Sequence, residues 1–177
     1  MIVVAVDAEI PLLFAYGTLM EPRLLEGVLG HGLEGLRLVP ATAPGYRTVH
    51  YPGRIYPALV ASKGAAAVGL AVAGLSAADM EILDLFEGDE YVRRELDISL
   101  IKGKGFPDAD LLFLAIEGAL EKQKAQFYQP VVAMPEDAPE WSFAEWRRQH
   151  GEAMIVEEGE TAATLRRQLI EMGGTDR

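Results

Sequence analysis

The sequence predicts an α+β fold, a small curved sheet or barrel with attached helices. Most of the first two thirds consists of short apolar runs broken by Gly and Pro, the signature of strands and turns. One well-bounded helix interrupts these runs in mid-chain, and further helices gather at the C-terminal end. A βαβα alternation is missing, which disfavours a doubly wound parallel sheet. Neither an internal repeat nor a low-complexity tract is present.

In chain order, strands are predicted at 2–6, 12–16, 36–39, 55–61 and 68–73. Residues 95–100 alternate, with Leu96, Ile98 and Leu100 on one face and Asp97 and Ser99 on the other. Residues 111–116 and 131–133 complete the strand expectations. Pro22 at a first turn opens a short helix over 22–28. Ser76 and Asp79 spell a capping-box pair, with Leu75 and Met80 as staple, and this helix stops at Gly88. A second box at Ser142 and Glu145, flanked by Trp141 and Trp146, opens a helix to about residue 156. A further helix is expected over 162–172. Pro135 and Pro139, with acids between them, read as a linker. The expected division is therefore a barrel domain over 1–134 and a C-terminal helical extension over 135–177.

Twenty-seven acids against 16 bases give a net charge of −11, which repels nucleic-acid backbones. Cysteine is absent, so thiolate nucleophiles and Cys-ligated zinc are excluded. The apolar N-terminus lacks a basic n-region, and the longest uncharged run, 64–78, is too short to span a bilayer. The expectation is a soluble cytoplasmic protein without nucleic-acid or membrane partners. Its oligomeric state is left open.

Gly30-His31-Gly32-Leu33-Glu34-Gly35 spells G-x-G-x-x-G but follows a helix instead of opening one, so it fails as a dinucleotide loop. His31, His50 and His150 have no metal-ligand spacing, and G-x-S-x-G is absent. Two segments carry more. In Tyr16-Gly17-Thr18-Leu19 an apolar strand breaks at Gly17 ahead of a helix, a place where main-chain amides are left free for an anion. Met80, Leu83 and Glu87 recur at i, i+3 and i+7, so a carboxyl continues an apolar helix face at its C-terminal end. Desolvation and the helix-end carbonyls would raise its pKa, as general acid/base chemistry needs. Arg93 or Arg94 would oppose this by pairing with it. Asp84 and Glu90 read as solvated.

These residues carry a resemblance. Tyr16-Gly17-Thr18-Leu19 resembles the YGTL signature of the gamma-glutamylcyclotransferase-like superfamily, which includes the plant avirulence-induced proteins. Leu83-Asp84-Leu85-Phe86-Glu87-Gly88 with Tyr91 and Arg93 is similar to its LD-x-FEG…Y-x-R segment. Gly45-Tyr46-Arg47, Tyr56-Pro57-Ala58 and Val68-Gly69-Leu70 fall in order between them, and 142–146 resembles a C-terminal helix of plant-type members. The resemblance implies a small mixed β-barrel with helices packed outside. It implies an enzyme that releases 5-oxoproline and an amine or amino acid from a γ-glutamyl compound, with no metal or organic cofactor. It maps Glu87 onto the catalytic glutamate and Tyr16, Gly17, Thr18 and Leu19 onto the substrate cradle, with Arg47 as a further contact for an acidic ligand. Family members carry an aromatic hydroxyl in the strand after the catalytic helix–strand unit. Residues 111–114 stand there in this reading, with Phe113 lacking the hydroxyl and Tyr128 as the substitute. Residues 117–129 match nothing in the family. The alternatives are a same-fold enzyme for another acyl-amine substrate and a non-catalytic small-molecule-binding protein.

Overall fold

The apolar runs at 36–39, 55–61 and 68–73 are pieces of two long strands that pair with each other along almost their whole length. The computed structural model describes residues 12–101 and 120–173. Its elements are β1 (Leu13–Ala15), α1 (Pro22–Leu29), β2 (Arg37–His50), β3 (Pro57–Ala73), α2 (Ala77–Glu87), β4 (Tyr91–Ile101), β5 (Leu120–Pro130) and α3 (Phe143–Gly173), with short 3₁₀ turns at Thr18–Met20 and Gly88–Glu90. The expected strands at 2–6 and 111–116, Phe113 among them, lie outside the described residues.

The five strands close into a barrel in the order β1-β3-β2-β4-β5. All pairings are antiparallel except β1 with β5, where Leu13 opposite Gln126 closes the barrel in parallel. This is the small mixed barrel that the resemblance implies. Alternation sends Phe14 of β1 and Tyr16 just beyond it inward, where they meet Ala41, Ala43, Leu59, Ala71, Leu96, Ile98 and Phe127. The many alanines make room for the Phe14 and Phe127 rings. Leu13 and Ala15 point the other way, into a second core shared with Leu24, Leu25, Val28 and Leu83 of α1 and α2 and with Trp146, Met154 and Ala162 of α3.

Three expectations are corrected. Of the stretch 117–129, the described residues from 120 on are strand: β5 pairs with β4 from Tyr91 opposite Pro130 to Ile101 opposite Leu120. Its outer face is polar because it carries cross-strand charge pairs, with Lys124 Nζ 2.8 Å from Asp97. Residues 131–133 are irregular and half-exposed or more, not a strand. The two C-terminal helices are one helix of 31 residues. The hydroxyls of Thr161 and Thr164 donate to the carbonyls of Glu157 and Glu160 one turn back, so both threonines are satisfied inside the continuous helix. Ser99, on the face opposite Ile98, is also buried, at the position opposite Thr42.

α2 starts as its sequence predicts. Ser76 Oγ accepts from Asp79 N–H, and the Asp79 carboxylate accepts from Ser76 N–H. The G-x-G-x-x-G segment ends α1, with Gly30 in the left-handed C-cap, and His31 Nε2 lies 2.7 Å from Asp79 Oδ1. The linker is strapped along β2: His50 N–H donates to the Pro139 carbonyl, and Trp141 N–H to that of Thr48. No helix among the described residues is long and apolar enough to cross a membrane.

Candidate active site

Glu87 is the last residue of α2, one helical turn beyond the buried Leu83. The next residue, Gly88, has φ 66° and ψ −154°, a conformation essentially restricted to glycine. It turns the chain out of the helix so that Glu87 and Tyr91 serve one space. A Cβ on Gly88 would meet no atom within 4 Å, so Gly88→Ala tests the backbone alone. It is expected to cost about 1–3 kcal/mol in denaturant unfolding. A cost within error of zero would show that the turn relaxes freely.

That space is a cavity of about 200 Å³ lined by Tyr16, Gly17, Thr18, Leu19 and Glu87, together with Tyr56, Glu90, Tyr91, Tyr128, Met154 and Glu158. The carboxyl and the strand-end turn, 70 positions apart in sequence, are thus brought to one place. Gly17 is needed there for proximity: a Cβ would stand 2.8 Å from Cγ of Pro57. No side chain caps the Thr18–Met20 turn, whose leading amides have no intrahelical acceptors.

The electrostatics turn on which acids hold a cation. Asp84 holds Arg93, at 3.1 Å from Nε, and accepts the Tyr128 hydroxyl at 2.8 Å. Glu90 accepts from Arg54 Nη2 at 2.6 Å and from the Tyr56 hydroxyl, and this lowers its pKa through the Arg54 hydrogen bond first. Asp84 and Glu90, expected to be solvated, are therefore tied to named partners. With Arg93 on Asp84 and Arg54 on Glu90, no cation is within ion-pair reach of Glu87 among the described residues. Burial, then the charges of Glu158 and Asp84, push the Glu87 carboxyl up to about 8. Its accessible surface is partial and belongs to the cavity wall.

Four tyrosines complete the wall. The Tyr16 hydroxyl donates to the Tyr128 carbonyl, and that of Tyr91 to the Pro57 carbonyl at 2.6 Å. Burial first, then Tyr16 and Glu87, raises the pKa of Tyr91, and burial followed by the Glu90 hydrogen bond pushes Tyr56 up to about 12. Both stay protonated donors. Tyr51, Tyr56 and Tyr91 pack with ring centroids 5.8–6.2 Å apart and brace this side.

The structure does not bring Arg47 to the cavity. Its guanidinium donates to the carbonyls of Ala138 and Glu136, at 3.0 and 3.1 Å, and fastens the linker to β2. Arg47→Ala is expected to lower stability by about 1 kcal/mol and to leave KM for any substrate of this cavity unchanged. A rise in KM at unchanged stability would return Arg47 to the site. The cavity also takes in Tyr91, which the sequence offered only within the resembling segment, Tyr128, which it offered as a substitute hydroxyl, and Glu158, which it did not single out. Tyr91 opens β4 directly after the turn that Gly88 makes at the end of α2. Tyr128 lies in β5, the strand paired with β4, and its hydroxyl donates to Asp84 beside the cavity. Glu158 was hidden by the break expected in the last helix.

Comparison with known proteins agrees with this architecture. AIG2-like protein A of Arabidopsis thaliana is 28% identical over 143 residues, covering 80% of this chain and 75% of that protein. Protein AIG2 B of the same plant is 29% identical over 146 residues, covering 80% and 73%. A solution structure from Arabidopsis thaliana superposes with a TM-score of 0.58 at 27% identity, covering 85% of this chain and 89% of that one. A structure named gamma-glutamyl cyclotransferase has a TM-score of 0.54 at 14% identity, covering 88% and 87%, a likeness of fold. Residues 13–135 match the family described as gamma-glutamyl cyclotransferase, AIG2-like, and the chain belongs to that family.

Proposed function

We propose that the protein is a γ-glutamylcyclotransferase-type enzyme that releases 5-oxoproline and an amine or amino acid from a γ-glutamyl compound, with Glu87 as general acid/base. One observation carries the reading: a carboxyl without a cation, its pKa near 8, shares a small cavity with the uncapped turn at Gly17–Leu19.

The Glu87 carboxylate takes one proton from the substrate α-ammonium. The freed nitrogen attacks the γ-carbonyl carbon of the same molecule and forms the five-membered ring. That nitrogen then loses its surplus proton to water. As the tetrahedral adduct collapses, the bond to the leaving nitrogen breaks, and Glu87 returns its proton to that nitrogen. A group titrating near neutrality can serve in both directions. Because attack is intramolecular, holding the chain folded supplies much of the rate. Amides of Gly17, Thr18 and Leu19 receive the substrate carboxylate or the developing oxyanion, fixed dipoles that do this despite the net negative charge. The hydroxyls of Tyr91 and Tyr128 stand at the same wall and keep the leaving-group side polar.

The test is to incubate the purified protein with a panel of γ-glutamyl amines, amino acids and peptides and to measure 5-oxoproline. Formation by the wild type that is lost in Glu87→Gln supports the reading. Formation that survives the substitution removes Glu87 from the chemistry. Absence of product across the panel rejects the activity.

A further inference from the structure

α3 places an acid where a helix packing on this fold needs an apolar residue. Gly151, Met154 and Ala162 are buried on the face of α3 that meets α1 and α2, with Leu165 and Leu169 packed against the same core. Glu158 occupies the i+4 position between Met154 and Ala162 on that stripe. The crossing there is close: a Cβ on Gly27 of α1 would stand 3.4 Å from Cα of Gly159. It is pinned on both sides. Arg147 reaches Glu21 at 2.8 Å, and Arg166 donates to the carbonyls of Gly27 and Val28 at 2.7 and 2.6 Å. Two small residues and two arginine clamps therefore hold Glu158 at the cavity wall. It has no hydrogen-bond or ion-pair partner among the described residues. No Lys or Arg lines the cavity, so Glu87 and Glu158 face it as two acids without a cation, among the side chains of Tyr16, Tyr56, Tyr91 and Tyr128.

We propose that Glu158 is the second carboxyl of the site and receives the substrate's α-ammonium opposite Glu87, which makes the C-terminal helix a working part of the cavity. The inference rests on the function proposed above, and it places the substrate-orienting charge beyond the 13–135 family match. An ammonium between two acids gives each the partner it lacks, and it fixes the α-nitrogen within reach of the base. Without ligand the pair is self-repelling, and Glu158 contributes to the high pKa of Glu87 after burial. The other groups around Glu87 are Asp84 with its Arg93, Glu90 with its Arg54, and the hydroxyls of Tyr16, Tyr91 and Tyr128.

The experiment uses the full chain with Glu158→Gln, Glu158→Asp and, as a control for one lost charge on an exposed face of α3, Glu160→Gln. The probes are L-glutamine, which carries the α-ammonium, and 5-oxoproline, which lacks it. Wild type and Glu160→Gln are expected to bind glutamine in preference to 5-oxoproline, read as thermal shifts against concentration. Glu158→Gln should lose this preference by about tenfold in apparent Kd, and Glu158→Asp should recover part of it. For a compound that is turned over, Glu158→Gln should raise KM by about tenfold with a smaller change in kcat, and should move the rising limb of kcat/KM to lower pH. Unchanged preference, KM and pH limb in Glu158→Gln would overturn the assignment while leaving the cyclotransferase reading intact. A glutamine preference that depends on Glu158, with no 5-oxoproline from any γ-glutamyl compound, would sink the catalytic reading and keep Glu158 as the ammonium partner. No glutamine preference in the wild type would end both.

Discussion

Glu87→Gln is expected to lower 5-oxoproline formation by about 10²–10⁴-fold, the usual range for a lost general acid/base, and at the same time to stabilise the fold above neutral pH. Both effects come from one placement. The carboxyl ends an apolar helix face, burial raises its pKa to about 8, and the nearby arginines are held by Asp84 and Glu90. Below about pH 4.5 it is protonated in folded and unfolded chains alike and has no effect on stability. As pH rises toward 8 the unfolded chain ionises while the folded one resists, so stability falls over that window and the full cost remains above it. One pH unit corresponds to about 1.4 kcal/mol, which puts the cost on the order of 3–5 kcal/mol. Gln has no charge to desolvate, so its unfolding free energy should gain on the wild type progressively from pH 5 to pH 9. Denaturant melts at three pH values measure this. Parallel curves for the two proteins would mean that Glu87 is solvated, and the raised pKa that the mechanism needs would go with it.

What the sequence shows of this site follows from how local each signal is. α2 is legible because its start, staple, apolar face and stop lie within about four turns: Ser76 with Asp79, Leu75 with Met80, Leu83, then Gly88. The turn at Gly17 is legible for the same reason. Barrel closure is not, because it depends on β5 reaching β1 across more than a hundred positions for one pairing, Leu13 with Gln126. Arg47, offered as a cation for an acidic ligand, is turned away from the cavity by strand geometry that its charge does not reveal. The register of β2 shifts between Pro44 and Tyr46, and such a bulge re-aims the side chains beyond it. Tyr46 turns toward Phe127, and Arg47 turns to the linker. Glu158 is unreadable for a different reason. A lone Glu in an acidic helix looks solvated until Gly27 and Gly159 are known to bring two helices together. The resemblance named the acid and the turn, but the acid facing them from α3 emerges only from the packing.

Gly69→Ala is expected to be the most destabilising small substitution in the barrel, costing about 3 kcal/mol or more. Gly69 lies in β3 beside β1. A Cβ there would stand 2.4 Å from the Ala15 carbonyl oxygen and 2.7 Å from the Phe14 ring. The carbonyl belongs to main chain, so no rotamer change relieves the contact. β1 must move, and it cannot move alone, because Leu13, Phe14 and Ala15 pair with Val72, Ala71 and Leu70, and Leu13 also closes the barrel on Gln126. Its last residue leads directly into Tyr16 and the Gly17 turn, so displacement of the strand is also displacement of the cradle. Where Gly69→Ala still folds, KM for any ligand of the cavity should rise along with the loss of stability. Gly35→Ala is the matched control. Its Cβ would meet nothing within 4 Å, and it is expected to change stability by less than about 0.5 kcal/mol. Similar melting temperatures for the two variants would show that β1 does not lie against β3 at Gly69, and the path from barrel to turn would have to be redrawn.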